Sequence, residues 1–332
     1  MKYSVLLVML VLMLQPIFAQ NRPVQLKIAT VVPEGSSWVK CMREISKEAK
    51  RQMNIELVIY AGGILGDANS TRDQIKYNKI DGGGFMGSTI SNMCPKLRIL
   101  DLPHKYRNLD EWKYVFKKIQ KEVSQDLEKN NIIVLGWSYG GFVDLYSKNP
   151  IRTLADFQRA KVWFSPGDPL MDSLFRKMKI HGVPMSTTNT FSALQTGLIN
   201  CVYNTPYGVM AMQWHTNVAY RTRYSIVNSM GAVVVSKKSF ERIPPQYRKL
   251  FLDICKKHFK KLAGEIESQN LKAEIDLEKR FHIQTIEPDE HWKRESERIG
   301  NEIAIEQINK LYSKEFYYRI ENYLKEYRKN KK

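Results

Sequence analysis

The sequence predicts an α/β protein of two lobes, and three observations predict it. Between Gln25 and Leu135, strand-like runs alternate with amphipathic helical runs, the pattern of a mostly parallel sheet with helices on both faces. The second half repeats that alternation after Asn149-Pro150. A further strand-like run, Ala232 to Ser236, follows a complete second set and sends the chain back to the first lobe. At 332 residues the chain is long enough to bury a large core and divide in two.

The elements follow in order. Gln25 to Thr30 alternates as a strand and stops at a Pro33-Glu34-Gly35 turn. Ser36 or Ser37 caps a helix running to about Met53. Ile55 to Tyr60 is a second strand. Gly62 to Asp67 is a loop that opens a helix near Asn69. Asp81 to Met86 is a short strand with glycines, and Leu97 to Leu102 is an extended segment ending at Pro103. Leu109 to Lys129 is a long amphipathic helix, and Ile132 to Leu135 a buried-type strand. Leu154 to Phe157 starts a short helix. Lys161 to Phe164 is a strand stopped by Pro166-Gly167, and Leu170 to Met178 is a helix. Phe191, Leu194 and Leu198 mark one face of a helix over 190–197, closed by Gly197. Pro244-Pro245 opens a helical region to about Arg280, and Ile283 to Ile286 is a last short strand. Tyr312, Phe316, Tyr317, Ile320 and Leu324 fall at helical spacing in the charged C-terminal segment. That stripe reads as core or inter-lobe packing; a partner-binding helix is the sharper alternative.

The N-terminus reads as a cleaved secretory signal over residues 1–19. Lys2 supplies the positive start, Val5 to Leu14 the apolar run, and Ala19 the cut. The run is well short of the roughly 20 residues that a membrane span needs. The formal charge is +18, and removing Lys2 with the signal leaves +17. Such a charge suits acidic partners or anionic lipid headgroups. No basic motif interleaved with aromatics accompanies it, so nucleic acid is not an expected partner. Cys41, Cys94, Cys201 and Cys255 have neither C-x-x-C nor zinc spacing and read as buried thiols rather than disulfides. The six histidines show no ligand pattern, so no metal site is expected.

Gly136-Trp137-Ser138-Tyr139-Gly140 matches G-x-S-x-G, the nucleophile elbow of secreted serine esterases. An elbow must turn directly into a helix. Here Gly141 to Ser147 alternates like a strand, so the match reads as chance, with Asp253, His258 and His282 only loose partners. No catalytic residue is assigned.

Several segments together carry a resemblance. They are Leu26 to Val32, Tyr60 to Asp67, Ile80-Asp81, Leu100 to Pro103, Lys161 to Pro169 and Phe191 to Asn204. In this order and spacing they resemble the DctP-type substrate-binding proteins, the P subunits of tripartite ATP-independent periplasmic (TRAP) transporters. The resemblance implies a two-lobe periplasmic-binding-protein (Venus-flytrap) fold with an inter-lobe cleft and a long lobe-spanning helix. Crossovers are expected near 147, 228 and 265. Lobe I is then 24–147 plus 228–265, and lobe II 148–227 plus 266–332 with the C-terminal helices. The implied protein is periplasmic, binds a small molecule, does no chemistry and needs no cofactor. Its implied partners are the TRAP membrane subunits. Some such systems pair with tetratricopeptide-repeat proteins, and the basic surface suits an acidic partner of that kind. The alternative is a carrier or adaptor for hydrophobic molecules working with a helical-repeat partner.

In this family two arginines often grip a ligand carboxylate, because the guanidinium fork matches its geometry. Val143 and Trp163 stand at those places here, and Met86 stands where some members carry a polar or acidic residue. Asn204 keeps the family's amide, beside Tyr203 and Tyr207; Thr187, Trp137 and Val31 complete the expected lining. Together they imply an apolar or weakly polar ligand, lipid-like at the extreme, over a small dicarboxylate. Lys161, which shares the face of Trp163, Arg152 and His181 are the candidates for a relocated cationic clamp.

Overall fold

The computed structural model describes residues 22–331; the expected signal, 1–19, lies outside them. The chain forms strands β1 (Val24–Thr30), β2 (Ile55–Tyr60), β3 (Gly82–Met86) and β4 (Ile132–Phe142). It continues through β5 (Asp144–Ser147), β6 (Lys161–Phe164), β7 (His181–Pro184), β8 (Cys201–Asn204) and β9 (Tyr220–Thr222). β10 (Asn228–Ser236) and β11 (Gln284–Ile286) complete the set. One sheet has the order β2-β1-β3-β10-β4, the other β11-β9-β5-β8-β6-β7. In the first, β1 runs parallel to β2 and β3, and β10 returns from the second sheet to pair antiparallel with β3 and β4. No helix among the described residues is long and apolar enough to cross a membrane.

The first crossing lies at Val143, not near 147. Gly141 has φ +93° and the β4–β10 ladder shifts register at Ser229/Met230, so β4 bends out of its sheet. The next strand, β5, then pairs with β8 and β9 of the second sheet. β4 is also longer than Ile132 to Leu135. Ser138 sits in its middle, paired with Gly231, so no strand-to-helix elbow exists. Asp253 and His258 are engaged by Lys249 and Glu48. All four cysteines are free and buried.

Leu97 to Leu102 is not extended. Pro95–Asp101 is a 3-10 helix, in which residues three apart eclipse. That brings Arg98 beside Asp101, Nη1 to Oδ2 at 2.8 Å.

The helix Pro245–Lys279 starts at the expected proline pair and reaches both lobes. Phe251, Ile254, Phe259 and Leu262 pack with the first sheet, and Leu277 packs with Tyr146, Trp163 and Trp214 in the second. Its third crossing is therefore a continuous rod rather than a point at 265. The final helix, Lys314–Asn330, packs on Leu109–Lys129 of the first lobe, not on lobe II. The reason is its stripe. Phe316, Tyr317, Ile320 and Leu324 are buried in the cluster that holds Trp112 and Phe116. Arg328 adds an ion pair at 2.8 Å to Glu111, which is almost fully buried.

At Gly136 the rod touches β4 so closely that a methyl group would run into the Phe259 ring. Gly136→Ala should therefore destabilise by about 1–3 kcal/mol through overpacking. Urea unfolding reads it as a lower midpoint at unchanged slope, and wild-type stability would show that the contact yields freely.

Candidate ligand-binding cleft

The strands of the two sheets end towards one another, and the carboxyl ends of parallel strands are where α/β proteins place ligands. A cavity of about 170 Å³ lies there. Val31 follows β1, Met86 ends β3, Asn204 ends β8, and Trp163 lies near the end of β6. Val143 stands at the first crossing, with its amide bonded to Val227 on the returning chain. Tyr203 and Thr187 complete the set of expected residues that the structure brings to the wall.

Trp163 is 7% exposed and packs on Tyr203 and Trp214, ring centroids 5.1 and 5.4 Å apart. Its indole N–H donates to the Met185 carbonyl at 3.0 Å. The one polar atom of that side chain is thus used internally, so it offers the cavity only apolar surface. Met171 and Met212 extend the apolar wall. The Asn204 side-chain oxygen accepts from the Thr205 amide at 2.8 Å.

Two expected residues stand elsewhere. Trp137 faces the helix Leu109–Lys129: its ring meets Phe116 and its N–H donates to Ser124 at 3.2 Å. Strand alternation turns it away from the cleft, just as it turns Gly136 towards Phe259. Tyr207 bridges the lobes instead of lining the cavity. Asn270 on the rod accepts from its amide at 3.0 Å, and its hydroxyl accepts from the Ser37 amide at 3.1 Å. Lys161, Arg152 and His181 are exposed and are not part of the wall.

Among the described residues, the cation in the wall is Arg98, which is 1% exposed. It is held from both lobes. Nη1 donates to Asp101, and Nη2 to Asp168 at the tip of the second lobe. Asp168 Oδ1 also caps the helix Pro169–Met178, accepting from the Leu170 and Met171 amides at 3.1 and 3.2 Å. Close by, Asn92 donates across the same gap to the Gly167 carbonyl at 2.9 Å. Burial pushes the Asp101 carboxyl up to about 6, against the pull of Arg98. The Tyr203 hydroxyl is raised by burial and then by Asp168. Asn228, at the start of β10, is 1% exposed, and both its side-chain polar atoms lack a protein partner among the described residues. It too lines the cavity.

Arg98, Asp101, Asp168 and Asn228 escaped the sequence reading. A signal existed for the first two: charges three apart inside the apolar run Leu97-Arg98-Ile99-Leu100-Asp101-Leu102. Asp168 read only as part of a turn. Asn228 carried no signal, because its burial comes from the crossing of distant segments.

A family model, the bacterial extracellular solute-binding protein family 7 (DctP), matches residues 28–307. The chain belongs to this family. A curated solute-binding protein of Sulfitobacter sp. (strain NAS-14.1) is 26% identical over 171 residues. That match takes in 50% of this chain and 51% of the relative, so the chain spans about half the length of the curated relative it matches. Among solved structures, a TRAP periplasmic solute-binding protein of Xanthobacter autotrophicus Py2 with bound β-D-galacturonate is similar at TM-score 0.83 and 19% identity. The similarity covers 89% of this chain and 99% of that one. One from Citrobacter koseri with bound D-glucuronate gives 0.81 and 21%, covering 89% and 98%. The Bordetella pertussis receptor DctP7, which binds pyroglutamic acid, gives 0.82 and 16%, covering 91% and 99%. These likenesses establish the two-lobe α/β fold of the family.

Removing a single partner from a buried ion cluster strands the others. Arg98→Met should cost about 3–5 kcal/mol of stability by leaving two carboxylates in the closed interface. Urea unfolding measures it, and a loss below about 1 kcal/mol would show that the cluster is solvated.

Proposed function

We infer that this chain is the extracytoplasmic solute receptor of a TRAP transporter, exported to the periplasm, and that it closes two lobes over a compact, uncharged, weakly polar molecule. Family membership supports the receptor role and its membrane-permease partner. One observation carries the ligand class. The cation in the cavity wall already has two carboxylate partners; the resemblance, which puts Val143 and Trp163 where the family often carries arginines, agrees with that.

Magnitudes favour this reading over a sugar acid of the kind seen in the similar structures. A buried carboxylate without a cationic partner costs several kcal/mol in desolvation. Here the wall offers it an apolar face and a guanidinium that is already neutralised. Size narrows the class further. A cavity of about 170 Å³ compares with the roughly 150 Å³ of an engineered cavity that holds benzene. A single small ring fits the closed form, and a long acyl chain does not. Asn228 offers one donor and one acceptor side by side, which suits an amide- or lactam-like edge.

Mass spectrometry of the native protein tests this directly. The co-purifying molecule should be small and uncharged at neutral pH, and its affinity should change little with salt. Trp163→Ala should weaken it on the order of a hundredfold, the loss of a buried aromatic wall. Recovery of a carboxylic acid, or micromolar binding of D-glucuronate or pyroglutamate, would overturn the ligand class.

A further inference from the structure

We propose that Asp168 is a built-in counter-ion that sets the charge specificity of the cleft. Its carboxylate takes the edge of Arg98 that a ligand carboxylate would otherwise take. The inference rests on the uncharged-ligand reading above and gives it a residue.

The geometry of the guanidinium carries the argument. A carboxylate grips arginine side-on through Nε and Nη2. This chain shows that grip elsewhere: Arg221 Nε and Nη2 both donate to Asp144, at 2.8 and 2.6 Å. On Arg98 the same edge is half used. Nη2 is committed to Asp168, while Nε is buried with no partner among the described residues. Asp101 holds the opposite side through Nη1 and comes from the same 3-10 helix, so it stays with Arg98 whatever the lobes do. Asp168 arrives from the other lobe. Arg98, Asp101 and Asp168 all line the cavity, so the pair forms at the ligand's own location when the lobes close.

Asp168 is also fixed independently of any ligand. Its Oδ1 is anchored by two amides at the start of the ten-residue helix Pro169–Met178. The carboxylate is therefore delivered to Arg98 at no cost in ligand charge. A carboxylate ligand must displace an anchored competitor of the same charge, whereas an uncharged ligand closes the lobes without competing. Replacing Asp168 by a residue that still caps the helix but carries no charge opens the Nε–Nη2 edge to an external anion.

The test uses the exported chain with Asp168→Asn and Asp168→Ser, since both residues cap helices well. Serine also leaves room for a formate-sized anion. Thermal unfolding is followed with formate, acetate and benzoate against chloride at equal ionic strength, and benzoate and D-glucuronate are titrated calorimetrically. The wild type should respond to none of them. At least one variant should melt higher in formate or acetate than in chloride and bind benzoate or D-glucuronate at least tenfold more tightly than the wild type. Arg98→Met added to that variant should abolish the gain. If a variant is too unstable to fold alone, recovery of its folded circular-dichroism signal in formate is the same positive result. Variants that fold without gaining carboxylate binding, or that stay unfolded in formate, overturn the role of Asp168. Wild-type binding of D-glucuronate would instead defeat the uncharged-ligand reading on which it rests.

Discussion

Arg98 is a charged side chain with almost no contact with water, and a guanidinium in that position must be surrounded by acceptors or the fold loses several kcal/mol. Much of the local architecture answers that requirement. The 3-10 turn at Pro95–Asp101 exists in a register that eclipses Arg98 and Asp101. The turn before the helix Pro169–Met178 places Asp168 where it caps that helix and meets Arg98 from the other lobe. The Asn92–Gly167 bond beside it holds the same two segments together. The interaction thus joins local turn chemistry to the closed arrangement of the lobes, and it lies in the wall of the cavity.

Closure also has a mechanical frame. The rod Pro245–Lys279 runs past both sheets, and its polar residues reach the crossings. Asn270 takes the Tyr207 amide and donates to the Gly140 carbonyl, while Gln269 donates to Ser37. Tyr207 and Ser37 lie in opposite lobes, so the rod and the lobe-to-lobe bond share one small network. The last helix straps the outer face of the first lobe, with its apolar stripe inward and Arg328 on Glu111. The chain joins the lobes at Val143, at 223–227, through the rod, and again at 307–313, between Glu290–Glu306 on the second lobe and the last helix on the first.

The same scaffold, matched over about nine-tenths of the chain, holds sugar acids in other bacteria. A fold is compatible with many ligands because specificity is set by a few side chains at the cleft. In this chain the guanidinium in the cavity wall is balanced from within, by Asp101 and Asp168.

The order of strands and helices was legible in the sequence because it rests on local physics. Alternation marked β1, a short apolar run marked β6, Ser36 caps a helix where expected, a helix opens at Ala68 close to the expected Asn69, and a proline pair opened the rod. Val143, Met86 and Trp163, read as lining from the sequence, stand in the cavity wall because they lie at strand ends or at the first crossing. What only the tertiary structure decided depends on segments distant in the chain. Trp137 and Tyr207 carry the right chemistry for a cleft, but strand facing and the Asn270 contact turn them elsewhere. Lys161 and Arg152 looked like cations available to a ligand and lie in solvent. Arg98, which the sequence reading passed over inside an apolar run, is a charged residue of the cavity wall. Its partner Asp168 lies 70 residues away, and no local pattern records a pair that forms only when two lobes close.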